Sequence, residues 1–585
     1  MIPRAADERT FTTHDGEALF YRTWPSLSRS SRGAIVLLHR GHEHSGRLTH
    51  LVHELNLPDF AFFAWDARGH GLSPGKRGFS PGAATSVRDV QTFIDHICYA
   101  HGVAIEDIVV IGQSVGAVLA AAWVHDYAPN IAGLVLAAPA FKVKLYMPFA
   151  RTVLRLARWA RGDFFINSFV RAKLLTHDES RISSFENDPL IARPISVNIL
   201  LGLYDLSERI IEDAAAITVP TQLLISGKDW VVHEGPQHRF YDRLGAMKKE
   251  RHVFARFYHD TLGEKDRNVA VDKAQAFILD RFDAPSERPC LLAADKHGFT
   301  RTEADRLASP LPAWSLRGLY WLAVRCGLQV GGWLSKGIRI GHQTGFDSGS
   351  MLDYVYRNEP QGRTPLGRAL DKSYLETIGW KGIRQRKVHI EELLRSAIDR
   401  VQTDRLPTRI MDIAAGHGRY VLEAIENSDC RPESILLRDY CELNVTAGND
   451  LIEQKGLSDV ASFVKGDAFD TASLANVEPR PTIGIVSGLY ELFADNGMVR
   501  ASLDGLAAAI PDGGYLIYTC QPWHPQIELI ARALTSHQQG QAWLMRRRTQ
   551  AEMDQLVSAA GFEKVDQRVD AWGIFTVALA RKQPA

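Results

Sequence analysis

The chain has 585 residues, 45% of them hydrophobic and 23% charged, an ordinary globular composition that exceeds what one hydrophobic core holds. Its 68 basic and 68 acidic residues cancel, which removes any global pull toward nucleic acid. No apolar run reaches the roughly 18 residues of a membrane span, the first residues lack an apolar core of signal-peptide length, and six scattered cysteines lack CxxC or zinc-ligand spacing, so a cytoplasmic protein without a metal centre is expected.

Residues 1–284 read as a first domain. "RGAIVLLHRGHEHSGR" (32–47) is a buried strand running into a His/Gly loop, and "FAFFAWDARGHGLSPG" (60–75) is a second strand. "DIVVIGQSVGAVLAAAWVH" (107–125) is a third strand followed by a small-residue helix, and "IAGLVLAAPA" and "TQLLISGKDWVV" continue the series. Strands alternating with helices predict a mostly parallel sheet covered on both faces.

"GQSVG", Gly112 to Gly116, sits between that third strand and its helix. A turn this tight strains its central residue and lifts the Ser114 hydroxyl clear of the sheet at a helix N-terminus. A nucleophilic serine needs a base and an orienting acid, arriving in the order Ser, acid, His. "LLISGKDWVV" supplies Asp229 past a late strand, and "ARFYHDTLGE" supplies His259 30 residues on.

With "GHEHSGR", "DARGHGLSPGKRG", "GQSVGA", "GKDWVV" and "YHDTLGE", residues 12–282 resemble the α/β-hydrolase superfamily, closest to monoacylglycerol lipases and lysophospholipases. The resemblance implies an acyl-ester hydrolase with a lipid-like substrate. It also implies an oxyanion hole from the backbone N–H groups of Gly41 and Val115. The family reads His-Gly where this chain has His39-Arg40, so Arg40 either reshapes the loop or binds an anionic substrate group.

Residues 141–210 resemble the lid insertion of that family. The stretch 142–175 carries eight Lys/Arg against one Asp, with Arg151, Arg155, Arg158 and Arg161 along one helix face. Such a helix either lies on an anionic membrane surface or is solvated. Residues 285–345 read as an exposed linker leading into "WSLRGLYWLAVRCGLQVGGWLSKGIRIG" (314–341), with three tryptophans, four Lys/Arg and no acid. Arg317, Arg325 and its glycines argue against a span, which leaves an interfacial helix at a membrane or one packed on a neighbouring domain.

Residues 346–585 form a second α/β domain. In "RIMDIAAGHGRYVLEA" (409–424) a strand ends at Asp412, and Ala414, Ala415, Gly416 and Gly418 make a turn that lets a ligand approach a helix N-terminus. "SILLRDYCELNV" places Asp439 after the next strand, roughly 20 residues past the turn, where a carboxylate can hold ribose hydroxyls. "ASFVKGDAFD" ends a third strand at Asp467, "TIGIVSGLYELF" and "GGYLIYTCQPW" supply two more, and "AGFEKV" opens a terminal hairpin.

The turn alone also suits NAD. The Asp/Gly-turn, Asp, Gly-Asp progression and the terminal hairpin instead resemble class I S-adenosylmethionine-dependent methyltransferases, whose Rossmann-like fold is expected over about 400–582. The resemblance implies that Ala415 to Gly418 line the methionine part of S-adenosyl-L-methionine, Asp439 holds the ribose and Asp467 the adenine amine. Ala414 stands where the family has its first glycine. Tyr490, Glu491 and His524 are candidates to face the methyl acceptor, or else to pack and cap loops.

A bifunctional enzyme of lipid-like molecules is expected, at the inner membrane surface or free in the cytoplasm. The alternative is a hydrolase whose second domain only senses S-adenosylmethionine. No signal sets an oligomeric state.

Overall fold

The structure is a computed structural model that describes the chain except residues 1–3, 146–148, 169, 285–287, 313, 429, 539 and 585. The chain divides into two compact units, Met1–Pro289 and Cys290–Ala585.

In the first unit, strands β1 (Asp7–Thr12), β2 (Ala18–Trp24), β3 (Gly33–Leu38), β4 (Phe60–Trp65), β5 (Ile108–Gln113) and β6 (Gly133–Ala137) are followed, after the lid, by β9 (Thr221–Ser226) and β10 (Lys249–Phe254). Their order is β1-β2-β4-β3-β5-β6-β9-β10. The pairs β1/β2 and β2/β4 are antiparallel and the rest parallel. Strands β3, β5 and β6 are buried at every position because helices cover both faces, which is why they read as unbroken apolar runs. The edge strand β1, "DERTFT", buries only Phe11 and carries no such run, so pattern reading passed over it. This is an α/β-hydrolase sheet, as the resemblance implied.

The lid between β6 and β9 holds the helix Ala150–Arg161, the small hairpin β7 (Phe165–Asn167) and β8 (Pro194–Ser196), and the helix Val197–Glu212. Its arginines do not form a single outward face. Arg151 and Arg155 both reach Asp205, at 2.7 and 2.6 Å, and Arg151 also pairs with Glu208. These contacts clamp the helix to the body of the lid. The side turned to solvent carries Phe149, Val153, Leu156 and Trp159 at spacings of four, three and three, together with the exposed Arg158 and Arg161.

The second unit carries β11 (Arg409–Asp412), β12 (Ser434–Asp439), β13 (Ala461–Lys465), β14 (Ile483–Val486), β15 (Tyr515–Cys520), β16 (Phe562–Val569) and β17 (Thr576–Lys582). Their order is β13-β12-β11-β14-β15-β17-β16, with β17 antiparallel between β15 and β16 and the other pairs parallel. The reversal of strand order at β11/β14 places a crevice at the C-terminal strand ends, where open α/β sheets bind ligands.

Residues expected as a linker up to 345 fold from Cys290 onward as part of this unit; residues 285–287 lie outside the described set. The cause is the run Arg546-Arg547-Arg548, whose buried guanidiniums require partners. Arg546 pairs with Glu552 at 2.6 Å and donates to Thr300 Oγ1 at 2.9 Å, while Arg547 pairs with Glu303. Asp295 accepts from the Asn496 backbone at 3.0 Å. The following helix, Leu316–Leu334, packs inward through Gly331 and Gly332 against Ile338 and His342 and leaves Leu316, Tyr320, Val330 and Trp333 exposed. Among the described residues no helix is long and apolar enough to cross a membrane.

Candidate functional site

Ser114 joins β5 to the helix Val115–Tyr127 and sits at φ 52°, ψ −109°, a conformation that a non-glycine residue adopts only when its surroundings force it. The force is steric closeness on either side. A Cβ at Gly116 would lie 2.5 Å from the Leu38 carbonyl oxygen, and one at Gly112 would lie 2.7 Å from Ala117 Cα. Only glycine admits this approach of helix to sheet.

Asp229 follows β9 and His259 follows β10, so both reach the same sheet edge. The Ser114 hydroxyl donates to His259 Nε2 at 2.8 Å, and His259 Nδ1 donates to Asp229 Oδ2 at 2.7 Å. Asp229 Oδ1 accepts from the Val231 and Val232 backbones at 2.7 and 2.9 Å. Burial works to raise the Asp229 carboxyl, yet His259 and these two N–H groups hold it below the ordinary carboxylate value. The chain of bonds is that of an activated serine nucleophile: base to hydroxyl, acid to base.

Gly41, in the loop after β3, lies close to Val115, the first residue of the helix after Ser114: a Cβ at Gly41 would be only 3.2 Å from Val115 Cγ2. Both line one cavity with Ser114 and His259, about 1660 Å³ of empty space including its mouth. Its remaining wall is largely apolar, including Phe79, Leu119, Ile166, Phe185, Ile195 and Leu200. The lid supplies four of these six.

Arg40 does not meet the expectation of an anion-binding group. Its side chain is buried, donates to Glu43 through Nε and Nη2 at 3.0 and 2.6 Å, and lies 3.3 Å from Asp260. Asp260 also holds Arg181 at 3.0 Å. Desolvation raises the Asp260 carboxyl, but Arg181 and Arg40 outweigh it and bring it below the ordinary value. Arg40 thus ties the Gly41 loop to the residue next to His259. Nothing in the sequence signalled this, because Arg40, Arg181 and Asp260 are far apart along the chain.

In the second unit the backbone turns left-handed at Gly416 (φ 59°) and Gly418 (φ 73°), and a Cβ at Gly418 would lie 2.4 Å from Leu437 Cδ1. Asp412 is buried beneath the turn, its oxygens accepting from the Ala414 backbone at 3.1 Å and the Tyr420 hydroxyl at 2.6 Å. Burial pushes its carboxyl up to about 7. Asp412 therefore shapes the turn from inside. Ala415 N donates to the Arg438 carbonyl at 2.9 Å, and Gly416 N to Asp439 Oδ2 at 2.9 Å. Asp439 stands at the rim and also accepts from Cys441 N at 2.9 Å and Asn444 Nδ2 at 3.0 Å. Asp467, exposed after β13, accepts from Phe469 N at 2.9 Å. The turn, Asp439 and Asp467 thus line one edge across three adjacent strands.

Pattern reading missed the cover of this edge. The helix Gly349–Arg357 starts above the turn, with Gly349 Cα 3.5 Å from where a Gly416 Cβ would be, and Asp353 pairs with Arg419 at 2.6 Å. Of the three acceptor-side candidates, Tyr490 is turned away, its hydroxyl bonded to Ser502 at 3.0 Å in the core. Glu491 and His524 line a common cavity of about 940 Å³ including its mouth, beside the C-terminal ends of β14 and β15. Among the described residues one group, His14, Asp15 and Asp89, could share an ion, and Arg68 already pairs with both carboxylates.

A family model described as "Serine aminopeptidase, S33" matches residues 29–266, and one described as "Putative methyltransferase" matches residues 274–582. "Uncharacterized protein YnbC" of Escherichia coli is 55% identical over 581 residues, covering 99% of this chain and 98% of the relative. "Monoacylglycerol lipase" of Mycolicibacterium smegmatis is 24% identical over 287 residues, 48% of this chain and 99% of its own length. Among solved structures, Paleococcus ferrophilus monoacylglycerol lipase aligns with a TM-score of 0.40 and 22% identity, covering 47% of this chain and 99% of that one.

Replacing Arg40 by Met is expected to cost the first unit about 3 kcal/mol, because it leaves Glu43 and Asp260 as underpaired buried charges. Urea unfolding of wild type and variant checks this, and a difference below about 1 kcal/mol contradicts it.

Proposed function

The chain belongs to the methyltransferase family matched by residues 274–582 and is 55% identical to YnbC over 581 residues, and from that premise we propose a bifunctional enzyme of lipid-like molecules. Its first domain hydrolyses an acyl ester of monoacylglycerol or lysophospholipid type. Its second transfers a methyl group from S-adenosyl-L-methionine.

The observation that carries the first half is the unbroken hydrogen-bond chain from Ser114 through His259 to Asp229 at the floor of an apolar cavity. Ser114 Oγ attacks the ester carbonyl as His259 takes its proton, and Asp229 steadies the imidazolium that forms. The N–H groups of Gly41 and Val115 would receive the negative oxygen. His259 then returns the proton to the departing alcohol, and water repeats the sequence to free the acid. The cavity wall favours an apolar acyl chain, in line with the monoacylglycerol lipase likeness of this half.

For the second half, the residues present fit S-adenosylmethionine. The turn at Gly416 and Gly418 brings bare backbone to a helix N-terminus, and the Asp439 carboxylate stands at the next strand end where it can hold two hydroxyls. Asp467 would accept from the adenine amine. The bound cofactor supplies an electrophilic methyl on a sulfonium, so the protein's task is alignment and proton removal.

The exposed apolar stripe of the lid helix, with Trp159 87% exposed and Arg158 beside it, supports peripheral contact with an anionic lipid surface, as does Trp333, 73% exposed on the helix Leu316–Leu334. The six free cysteines suit a reducing, cytoplasmic compartment.

Fluorophosphonate is expected to label Ser114 alone, with labelling abolished in His259→Ala; mass spectrometry locates the adduct, and modification elsewhere or none removes the hydrolase reading. Calorimetric titration with S-adenosylmethionine is expected to show binding that Asp439→Ala weakens at least about tenfold, the loss of roughly one charge-assisted hydrogen bond. Sedimentation is expected to carry the protein down with vesicles rich in phosphatidylglycerol, and Trp159→Ser to lower the bound fraction. Equal binding of both forms removes the lid contact.

A further inference from the structure

The cavity beside β14 and β15 is closed in by aromatic and aliphatic side chains, among them Trp380, Ile383, Leu529, Leu534, Trp543 and Phe575. Polar side chains interrupt this wall, among them Asp347, Gln521 and Gln526, and three others bear on a bound head group. Glu491 follows β14, Arg386 comes from the helix Ile378–Thr403, and His524 follows β15.

Glu491 and Arg386 form an ion pair too long for a hydrogen bond. Their closest approach is 3.6 Å, both are nearly inaccessible, and Glu491 Oε1 is a buried carboxyl oxygen with no hydrogen-bond partner among the described residues. Buried oxygens of this kind normally find a donor. The guanidinium lies against the Gly488 backbone, where a Cβ would come within 3.0 Å of Nη1 and Nη2, and over the Phe575 ring, 5.1 Å from its centroid. Glu491 Oε1 is thus left able to accept from a donor in the cavity.

His524 is a donor. Its Nδ1 accepts from the Gln526 backbone at 3.0 Å, and burial holds the imidazole down near 3, so the ring is neutral and its single proton is on Nε2. That nitrogen lies 3.2 Å from where a Cβ of Gly379 would be, on the cavity wall.

We propose that this cavity is the methyl-acceptor site and takes an apolar molecule with an uncharged hydroxyl, a phenol or alcohol, whose O–H donates to Glu491 and whose oxygen can accept from His524 Nε2. This inference rests on the methyltransferase reading above. With Asp347 paired to His537, a neutral head group follows from the charge balance: a carboxylate would face Glu491 and an ammonium would face Arg386, in each case inside a low-dielectric wall. Glu491 is the proton acceptor of the transfer. The O–H bond breaks toward its carboxylate, which becomes a carboxylic acid. The oxygen's electron pair forms the new C–O bond to the methyl, and the C–S bonding pair stays on sulfur as the sulfonium becomes a thioether. Burial raises the Glu491 carboxyl, opposed by Arg386, which suits a base that must accept a proton.

The site also neighbours the cofactor edge. Asp347, on the cavity wall, is two residues from Gly349, which lies against the Gly416 turn and against Asn444, a hydrogen-bond partner of Asp439.

The test is calorimetric binding of three probes of one shape to the full-length protein saturated with S-adenosylhomocysteine: 2-naphthol, 2-methoxynaphthalene and 2-naphthoate. 2-Naphthol is expected to bind at least about tenfold tighter than its methyl ether, which lacks the donor, and than the anion. Gly379→Val, which fills the wall beside His524 without touching Glu491, is expected to lower 2-naphthol affinity at least about tenfold; an unchanged melting temperature certifies its fold. Glu491→Gln is expected to keep 2-naphthol affinity within about threefold and to slow formation of 2-methoxynaphthalene from S-adenosylmethionine about 100-fold. Equal affinity for the three probes, tighter binding of the naphthoate, or indifference to Gly379→Val overturns the inference. If S-adenosylmethionine itself does not bind, the methyltransferase reading fails, whereas cofactor binding without discrimination among the naphthalenes sinks only the acceptor assignment.

Discussion

Both halves of the chain depend on one constraint: a parallel strand must turn into a helix within a few residues, with the backbone bare at the turn. At β5 this requires glycine at 112 and 116, because any Cβ would enter the backbone of β3 or of the helix itself. At β11 it requires glycine at 416 and 418, where φ is positive and, at 418, Leu437 blocks a side chain. The outcome is the same in both places. A helix N-terminus with unpaired N–H groups faces a crevice at the C-terminal sheet edge. What differs is the side chain delivered there. One turn presents a strained serine hydroxyl. The other presents bare backbone, against which the proposed cofactor would lie.

Around those turns, positioning is done by buried charge. In the first unit Arg40, Glu43, Arg181 and Asp260 connect the loop bearing Gly41 with the loop bearing His259. Desolvation of these groups is costly, and removing any one partner leaves the others uncompensated, so the cluster holds the two loops in a single arrangement. In the second unit Arg546 and Glu552 do the same for the segment 290–308. Arg386 and Glu491 differ from both. Their ion pair, at 3.6 Å, is too long for a hydrogen bond, and the acceptor proposed above would supply the donor that Glu491 Oε1 lacks.

The lid shows how charge and apolar surface exchange roles once a helix packs. As a sequence, Ala150–Arg161 is a row of arginines with greasy residues between them. In place, Arg151 and Arg155 turn inward to Asp205, and Phe149, Leu156 and Trp159 face out. The acidic residues that decide this lie some fifty positions later, on the helix Val197–Glu212, so no local pattern contains the information.

By itself the sequence determined the two α/β sheets, the turns, and the residues Ser114, Asp229, His259, Gly416, Gly418 and Asp439. Each is set by local rules: a buried parallel strand is an unbroken apolar run, a tight turn demands glycine, and strand ends fall at regular intervals. Tertiary structure alone decided that Arg40 is a buried tie, that residues from Cys290 onward belong to the second unit, and that Glu491 and His524 share a cavity while Tyr490 does not. Those outcomes are settled by contacts between segments tens to hundreds of residues apart. The free energy of a buried ion pair or an unpartnered carboxyl depends on what surrounds it in space, and sequence proximity does not encode that.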